Sequence, residues 1–286
     1  MTTRTKRIGF TVALALGCAA AIPLAALPTA GAWLLLHGPR RIAVPPAPPR
    51  CDATHFEGAG VDLAAWRCNT SGHRRGTLIY LHGLSDNRRG ARGLVDRFLA
   101  RGLDVVAYDS RAHGESTGDA CTYGFYEQQD LHRVIDALAP GPVVLLGHSL
   151  GAAIALQEAA GDPRVTMVVA AETFSDLRTV ATERAPVFFT PGAIRRGLAL
   201  AEWLAGFTVD DVSPVKAASL LTIPVLLIHG DSDSETRPEH SRRVEAALKG
   251  PKRLIMVPGA RHSESLRGDV WPDIEGWIDR YVGGEE

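Results

Sequence analysis

The sequence lacks a marked excess of charge of either sign. Its 286 residues carry 31 Lys and Arg against 32 Asp and Glu, which gives a net charge of −1. Three arginine pairs stand apart from one another with no aromatic residues interleaved, so we interpret them as solvated surface patches: Arg74–Arg75, Arg88–Arg89 and Arg242–Arg243. A nucleic-acid partner is therefore not expected.

The sequence also lacks the common signatures of nucleotide and metal chemistry. It has no glycine-rich phosphate-binding loop, and none of its ten histidines forms a pair at metal-ligand spacing. We accordingly predict no cofactor and no metal.

Cysteine is scarce, with four in the chain. Cys51 and Cys68 flank two short extended segments around Gly58–Gly60, a pattern that predicts a hairpin. If the turn is centred between Ala59 and Gly60, the two cysteines face each other. We hypothesise a disulfide there, with two free thiols as the alternative. A disulfide would suit an oxidising compartment.

Charge is missing from one long stretch near the N-terminus, Ile8–Leu36. An apolar run of this length can span a bilayer as a helix, so we predict that residues 1–38 are a membrane or export segment outside the fold. An uncleaved signal anchor is the favoured interpretation. The alternatives are a signal peptide cleaved near the small residues Ala30–Ala32 and a lipidated Cys18.

Basic residues lie on both sides of this run, so charge gives little guidance on its orientation. We expect a single-pass protein of the cell membrane with its body outside the cytoplasm, and a secreted protein is the alternative. Residues 39–50 are proline-rich and should form a stiff, extended spacer.

From Thr77 onward, short apolar runs alternate with segments of helical periodicity. Such runs joined by helical crossovers indicate a parallel sheet buried on both faces. We therefore predict one doubly wound, mostly parallel α/β domain over residues 51–286, which begins with the antiparallel hairpin. The alternation is interrupted at about 175–221, and we expect this insertion to form a small cap over the carboxyl ends of the strands.

The pentapeptide Gly147–Gly151 places Ser149 between an apolar strand and a helix. A serine at such a sharp turn is exposed for attack, and flanking glycines prevent side-chain clashes. Gly-x-Ser-x-Gly is common by chance, so a nucleophilic role needs support from a base and an acid elsewhere in the chain.

Candidates for the base and for the acid lie after predicted strands later in the chain. His262 lies in a loop after the last strand and is the candidate base. Asp233 is the favoured acid, since the first residues after its strand are needed to turn the chain, and Asp231 and Glu235 remain alternatives. The order Ser149, Asp233, His262 is found in one lineage of catalytic triads.

An oxyanion formed during attack needs backbone N–H donors. We expect them from Leu150, directly after the serine, and from Leu84 in the loop after the first parallel strand. The nearby polar side chains should brace loops instead of reacting: His82, Asp109, Arg111 and His113.

Together these motifs resemble the α/β-hydrolase superfamily, and within it the serine-aminopeptidase-like and lysophospholipase-like esterases. The residues that carry the resemblance, between Thr77 and Val282, are His82-Gly83, Asp109-x-Arg111-x-His113-Gly114-x-Ser116, Gly147–Gly151, His229-Gly230-x-x-Asp233 and His262.

The resemblance implies an α/β-hydrolase fold and a Ser149, Asp233, His262 triad. It also implies cleavage of carboxylic esters of a small acyl substrate through an acyl-enzyme, without a cofactor. A thioesterase, a peptidase or a non-catalytic binding relative are the alternatives. Ser234–Thr236 depart from the family pattern after Asp233, which keeps Asp231 and Glu235 open.

Overall fold

The computed structural model describes residues 26–39 and 43–282. Eight strands lie in this part of the chain: β1 Cys51–Glu57, β2 Asp62–Cys68, β3 Gly76–Leu81, β4 Leu103–Tyr108, β5 Val143–His148, β6 Val165–Ala171, β7 Val225–Gly230 and β8 Lys252–Val257. They form one sheet in the order β1-β2-β4-β3-β5-β6-β7-β8. β2 pairs antiparallel with β1 and β4, and all other neighbours are parallel. This confirms the predicted architecture.

Helices cover both faces of this sheet. Residues 26–36 are helical and are called α1. The other α-helices are α2 Val95–Leu99, α3 Glu127–Asp136, α4 Leu150–Ala159, α5 Leu177–Arg184, α6 Pro191–Ala205, α7 Pro214–Ala218, α8 Glu239–Ala247 and α9 Trp271–Tyr281.

Alternate residues of β5 are buried on opposite faces of the sheet. Val143 and Leu145 belong to the core shared with α3 and α4, whereas Val144 and Leu146 belong to the core shared with α2 and α9. A strand covered on both faces is apolar at successive positions, which explains the continuous apolar run in the sequence.

The sequence also predicts a helical stretch after β3 that runs to about Arg101, and the structure divides this stretch in two. It forms a 3₁₀ turn over Arg88–Gly93 and then the short α2. A Cβ on Gly90 would lie 2.4 Å from the hydroxyl of Tyr80, so the chain approaches the sheet too closely here for an ordinary helical side chain.

The N-terminal hairpin has the predicted register. Cys51 pairs with Cys68 and Glu57 with Asp62. A disulfide joins the two cysteines, so the hypothesis drawn from their spacing is confirmed. The bond fastens β1, the edge strand, to the rest of the sheet.

The insertion predicted at 175–221 contains α5, α6 and α7. The start of α6 is specified locally, because the hydroxyl of Thr190 accepts the N–H of Ala193 and Pro191 occupies the first turn. Gly206 ends the helix in the left-handed conformation that glycine favours. Residues of α5 and α6 line a cavity that reaches Ser149. Residues 175–221 are called the cap below, and their role as a cap stays a prediction.

Residues 26–36 pack against the domain, although the sequence assigned them to a segment outside it. Ala32 and Leu36 on α1 are almost completely buried, and burial of apolar surface stabilises this packing. Within residues 26–39 and 43–282, no helix is both long and apolar enough to cross a bilayer. Most of the predicted span Ile8–Leu36, like Cys18, lies outside the described residues, and the membrane assignment stays a prediction.

Candidate active site

Ser149 lies at the sharp turn between β5 and α4. Its φ of 50° and ψ of −110° lie outside the helical and extended regions, a conformation that its surroundings must enforce. A Cβ on Gly147 would lie 2.3 Å from the carbonyl oxygen of Gly151, and a Cβ on Gly151 would lie 2.1 Å from that of Leu81. The turn therefore requires both glycines, as the sequence predicted.

The structure brings His262 and Asp233 to this serine. Oγ of Ser149 lies 3.0 Å from Nε2 of His262, and Nδ1 of His262 lies 2.7 Å from Oδ2 of Asp233. When Nδ1–H donates to Asp233, Nε2 is left to accept the hydroxyl proton of the serine. Such a chain of hydrogen bonds can activate a serine for nucleophilic attack.

Among the three acids that the sequence left open, Asp233 is the one that contacts His262. Asp231 and Glu235 are both exposed to solvent. The backbone N–H groups of Glu235 and Thr236 donate to Oδ1 of Asp233, each at 2.9 Å. The loop thus holds one carboxylate oxygen and turns the other toward the imidazole.

Leu84 and Leu150 flank Ser149 in the wall of one cavity. The loop that carries Leu84 packs directly on the serine turn, since a Cβ on Gly83 would lie 2.7 Å from Nδ1 of His148. Both residues are therefore next to the serine, and their role as oxyanion donors stays a prediction.

His82 is fully buried and orders two loops at the site. Its Nδ1–H donates to the carbonyl of Gly83 at 2.8 Å, and its Nε2 accepts the N–H of Ser110 at 2.9 Å. Burial lowers the pKa of His82 to about 3, so the ring is neutral, as these two bonds require. His113 similarly donates from Nδ1 to the carbonyl of Arg111 at 2.8 Å. Both histidines brace loops, as predicted.

Arg88 does not form a solvated patch, and the sequence interpretation is wrong for this residue. Its side chain is buried and forms ion pairs with Asp109 and Glu115. Arg111 binds both oxygens of Asp130 at 2.7 Å. Buried carboxylates require such partners, and these pairs fix the long turn after β4.

Glu172, directly after β6, is a site residue that the sequence analysis missed. It is fully buried and has a positive φ of 56°. Its Oε2 lies 2.9 Å from Nε2 of His148 and 3.4 Å from Nδ1 of His262. Its carboxylate also accepts the backbone N–H groups of Ser263 and Ser265. Glu172 therefore connects the residue before Ser149 to the loop that carries His262.

One signal in the sequence could have found Glu172. It is an acid that directly follows an apolar parallel strand, and the carboxyl ends of such strands are where α/β sheets place their sites.

Both acids beside His262 are ionised. Burial acts to raise the pKa of Glu172, but the hydrogen bonds from His148, Ser265 and Ser263 lower it to about 2. Burial also opposes ionisation of Asp233, and hydrogen bonds from His229 and His262 hold its pKa well below the ordinary value. Two negative charges therefore lie near Nδ1 of His262.

Two cavities meet at Ser149. One has a volume of about 350 Å³ and is lined mainly by apolar side chains from the cap and α1. The other, of about 620 Å³, lies on the His262 side and includes polar residues such as Ser85, Asp86 and Glu235. A substrate bound across the serine can thus place an apolar part on one side and a polar part on the other.

Two groups of described side chains lie close enough together to share a metal ion. They are His148, Glu172 and His262, and His132, Glu158 and Asp162. In the first group, protein N–H donors already bind the carboxylate of Glu172. In the second, Asp162 forms a 2.6 Å ion pair with Arg164. Hydrogen bonds and ion pairs account for both groups without a metal.

The sequence matches known proteins. A family model described as the alpha/beta hydrolase fold matches residues 76–222. The uncharacterized protein YfhR of Escherichia coli K12 is 30% identical over 207 residues, or 68% of this chain. This chain spans 66% of the length of YfhR, just under two thirds. A monoacylglycerol lipase of Mycolicibacterium smegmatis is 25% identical over 251 residues, which cover 71% of this chain and 88% of the lipase.

The fold also matches solved structures. The esterase Pf2001 of Pyrococcus furiosus superposes with a TM-score of 0.68 and covers 85% of this chain and 99% of its own. At 21% sequence identity, this likeness extends to the fold alone.

Proposed function

This chain belongs to the α/β-hydrolase family, and on that premise we propose that it is a serine hydrolase that cleaves carboxylic esters. The observation that carries the proposal is the hydrogen-bonded series from Ser149 through His262 to Asp233, which lies where two cavities meet. The monoacylglycerol lipase among its sequence relatives supports the choice of an ester over an amide.

In the proposed reaction, His262 removes the hydroxyl proton of Ser149 through Nε2 as Oγ attacks the ester carbonyl carbon. Asp233 accepts the hydrogen bond from Nδ1 and stabilises the imidazolium that forms. Backbone N–H groups of Leu84 and Leu150 stabilise the oxyanion. His262 then protonates the leaving alcohol, and the acyl group stays on Oγ.

The second half returns the enzyme to its starting state. His262 accepts a proton from water, and the resulting hydroxide attacks the acyl-enzyme carbonyl. The bond to Oγ breaks, His262 returns the proton to Ser149, and a carboxylic acid is released. Every proton moves between Ser149, His262, substrate and water, so these steps balance without a further reactant.

The test is covalent labelling of the full chain with a fluorophosphonate, combined with hydrolysis of nitrophenyl acetate and its matched anilide. We expect wild type to be labelled at Ser149 and to hydrolyse the ester much faster than the anilide. Ser149→Ala should lose both labelling and hydrolysis. Equal labelling of Ser149→Ala would refute the nucleophile, and faster cleavage of the anilide would identify a peptidase or amidase instead.

We further propose that the domain lies outside the cytoplasm, held at the cell membrane by the part of the N-terminal segment that precedes α1. The Cys51–Cys68 disulfide supports an oxidising location, and the uncharged run Ile8–Leu36 supports export. Fractionation of cells, followed by protease treatment of intact spheroplasts, tests this. Protection of the domain from protease would contradict the proposal.

A further inference from the structure

α1 is fastened to the domain by backbone contacts at both ends of its described part. Near its C-terminal end, the carbonyl of Leu35 accepts the hydroxyl of Tyr123 at 3.1 Å and that of Leu36 accepts the N–H of Cys121 at 2.9 Å. Toward its other end, α1 crosses α6 at Gly197, where an added Cβ would lie 3.1 Å from the carbonyl oxygen of Pro28. The missing side chain lets the two helices touch.

From this position α1 supplies one wall of the apolar cavity. Gly31, Leu34 and Leu35 face the cavity from α1, and residues of α5 and α6 form the opposite side. A Cβ on Gly31 would lie 3.0 Å from the ring of Phe189, so α1 and the cap close on each other at this point. The cavity extends from there to Ser149.

The chemistry of the cavity favours a hydrocarbon chain. One arginine, Arg184, lines the cavity. Its Nε donates a hydrogen bond to the carbonyl of Glu235, and its Nη2 donates one to the hydroxyl of Thr236. Large apolar side chains beside the cavity are also exposed, including Leu34 on α1 and Phe188 in the α5–α6 connection. A ligand with an apolar chain can cover these surfaces, whereas a polar ligand would find few partners.

We propose that α1 is part of the substrate site, and that it forms the wall of a pocket for the unbranched acyl chain of a fatty-acid ester. The inference rests on the proposed function, because it takes the acyl carbonyl to be the atom attacked by Ser149. The acyl chain occupies the cavity between α1 and the cap, and the alcohol occupies the polar cavity beside His262. Chain-length preference is thus set by an N-terminal segment as well as by the cap.

The test compares substitutions on the two sides of α1. Gly31→Leu fills the cavity, and Leu34→Asp places a charge at its exposed edge with little effect on folding, since Leu34 is 56% exposed. Ala30 is exposed on α1 and does not line the cavity, so Ala30→Leu and Ala30→Asp are the matched controls. The substrates are nitrophenyl acetate, butyrate, octanoate and dodecanoate.

We expect wild type to favour the octanoate and dodecanoate esters over acetate. Gly31→Leu and Leu34→Asp should each lose about tenfold or more in kcat/KM for dodecanoate, as expected when a hydrophobic pocket loses space for a chain. The loss for acetate should be smaller than the loss for dodecanoate, because an acetyl group fills little of the cavity. The Ala30 variants should match wild type on all four esters. Unchanged chain-length profiles in both Gly31→Leu and Leu34→Asp would overturn the inference.

Binding of dodecanoate to Ser149→Ala, measured by calorimetry, separates this inference from the proposed function. Dodecanoate should bind, and Gly31→Leu in the same background should weaken it by about tenfold or more. Binding without any hydrolysis by wild type would refute the esterase while supporting the acyl pocket. Hydrolysis of acetate by wild type with no dodecanoate binding would refute the pocket and leave the esterase intact.

Discussion

Oε2 of Glu172 lies 3.4 Å from Nδ1 of His262, the same ring nitrogen that lies 2.7 Å from Oδ2 of Asp233. One imidazole therefore faces two buried carboxylates. Asp233 makes the direct hydrogen bond. Glu172 adds negative charge and also binds the backbone at Ser263 and Ser265, which holds the histidine loop against His148.

Replacement of Glu172 by glutamine should slow hydrolysis. The amide has one oxygen in place of two, so it cannot keep all the contacts with His148, Ser263 and Ser265 that hold the histidine loop. We expect kcat to fall by about 10²-fold. The measurement is steady-state hydrolysis of nitrophenyl acetate.

The control for this change is Glu264→Gln. Glu264 is an exposed acid in the same loop, so its neutralisation should leave kcat near the wild-type value. An unchanged kcat in Glu172→Gln would contradict a positioning role for this carboxylate.

Asp233→Asn should lower kcat by about 10⁴-fold, because the amide cannot hold His262 in the required tautomer. Asp231→Asn should have a small effect, since Asp231 is exposed and its carboxylate binds the N–H of Gly259 instead of the histidine. Steady-state kinetics of the two variants on the same ester decide between the acids. A greater loss in Asp231→Asn would reverse the assignment.

Glu172 should also make the fold sensitive to acid. Its pKa falls from an ordinary value of 4.5 to about 2 in the folded protein. A lowered pKa stabilises the fold above pH 4.5, and this stabilisation, about 3 kcal/mol, is lost as the pH falls toward 2. The free energy of unfolding of Glu172→Gln should therefore vary less than that of wild type between these pH values. Urea titrations at several pH values measure the difference, and parallel curves would contradict it.

The double variant Cys51→Ser and Cys68→Ser should be less stable by about 3 kcal/mol, as expected for a crosslink across a loop of this length. Ester hydrolysis should persist where the variant is folded. The disulfide lies at the edge of the sheet, and β5, which leads into Ser149, is four positions away from β1 in the strand order. Chemical unfolding with and without reductant tests this. Reductant should destabilise wild type and leave the double variant unchanged.

Gly151→Ala should destabilise the fold by about 3 kcal/mol or more and abolish hydrolysis, since its Cβ would lie 2.1 Å from the carbonyl oxygen of Leu81. The matched control is Gly276→Ala in α9, where no atom lies within 4 Å of the added Cβ. That change should stabilise the protein by up to about 1 kcal/mol through helix propensity. Thermal unfolding and acetate hydrolysis report both effects, and a stable, active Gly151→Ala would show that the turn can relax.

Much of the sheet could be predicted because its signals are local. An apolar run such as β5 marks a strand buried on both faces, and the spacing of Cys51 and Cys68 around a glycine turn fixed their register. The helical stretch predicted after β3 is divided into a 3₁₀ turn and α2, a division that the periodicity of the sequence does not indicate.

The residues of the candidate active site also fall into two groups, those that the sequence predicts and those that only the fold brings together. The sequence by itself determined the serine turn, because Ser149 lies between two glycines at the junction of an apolar strand and a helix, and the contact that requires Gly147 is made within four residues, with Gly151. It also supplied His262 and a choice of three acids at strand ends. The tertiary structure decided that Asp233 contacts the imidazole of His262 and that Glu172 lies beside the same ring. It also decided that Arg88 is buried and that α1 lines the apolar cavity. These contacts join residues far apart in the chain, and their distances depend on the strand order and helix packing, which no local pattern encodes.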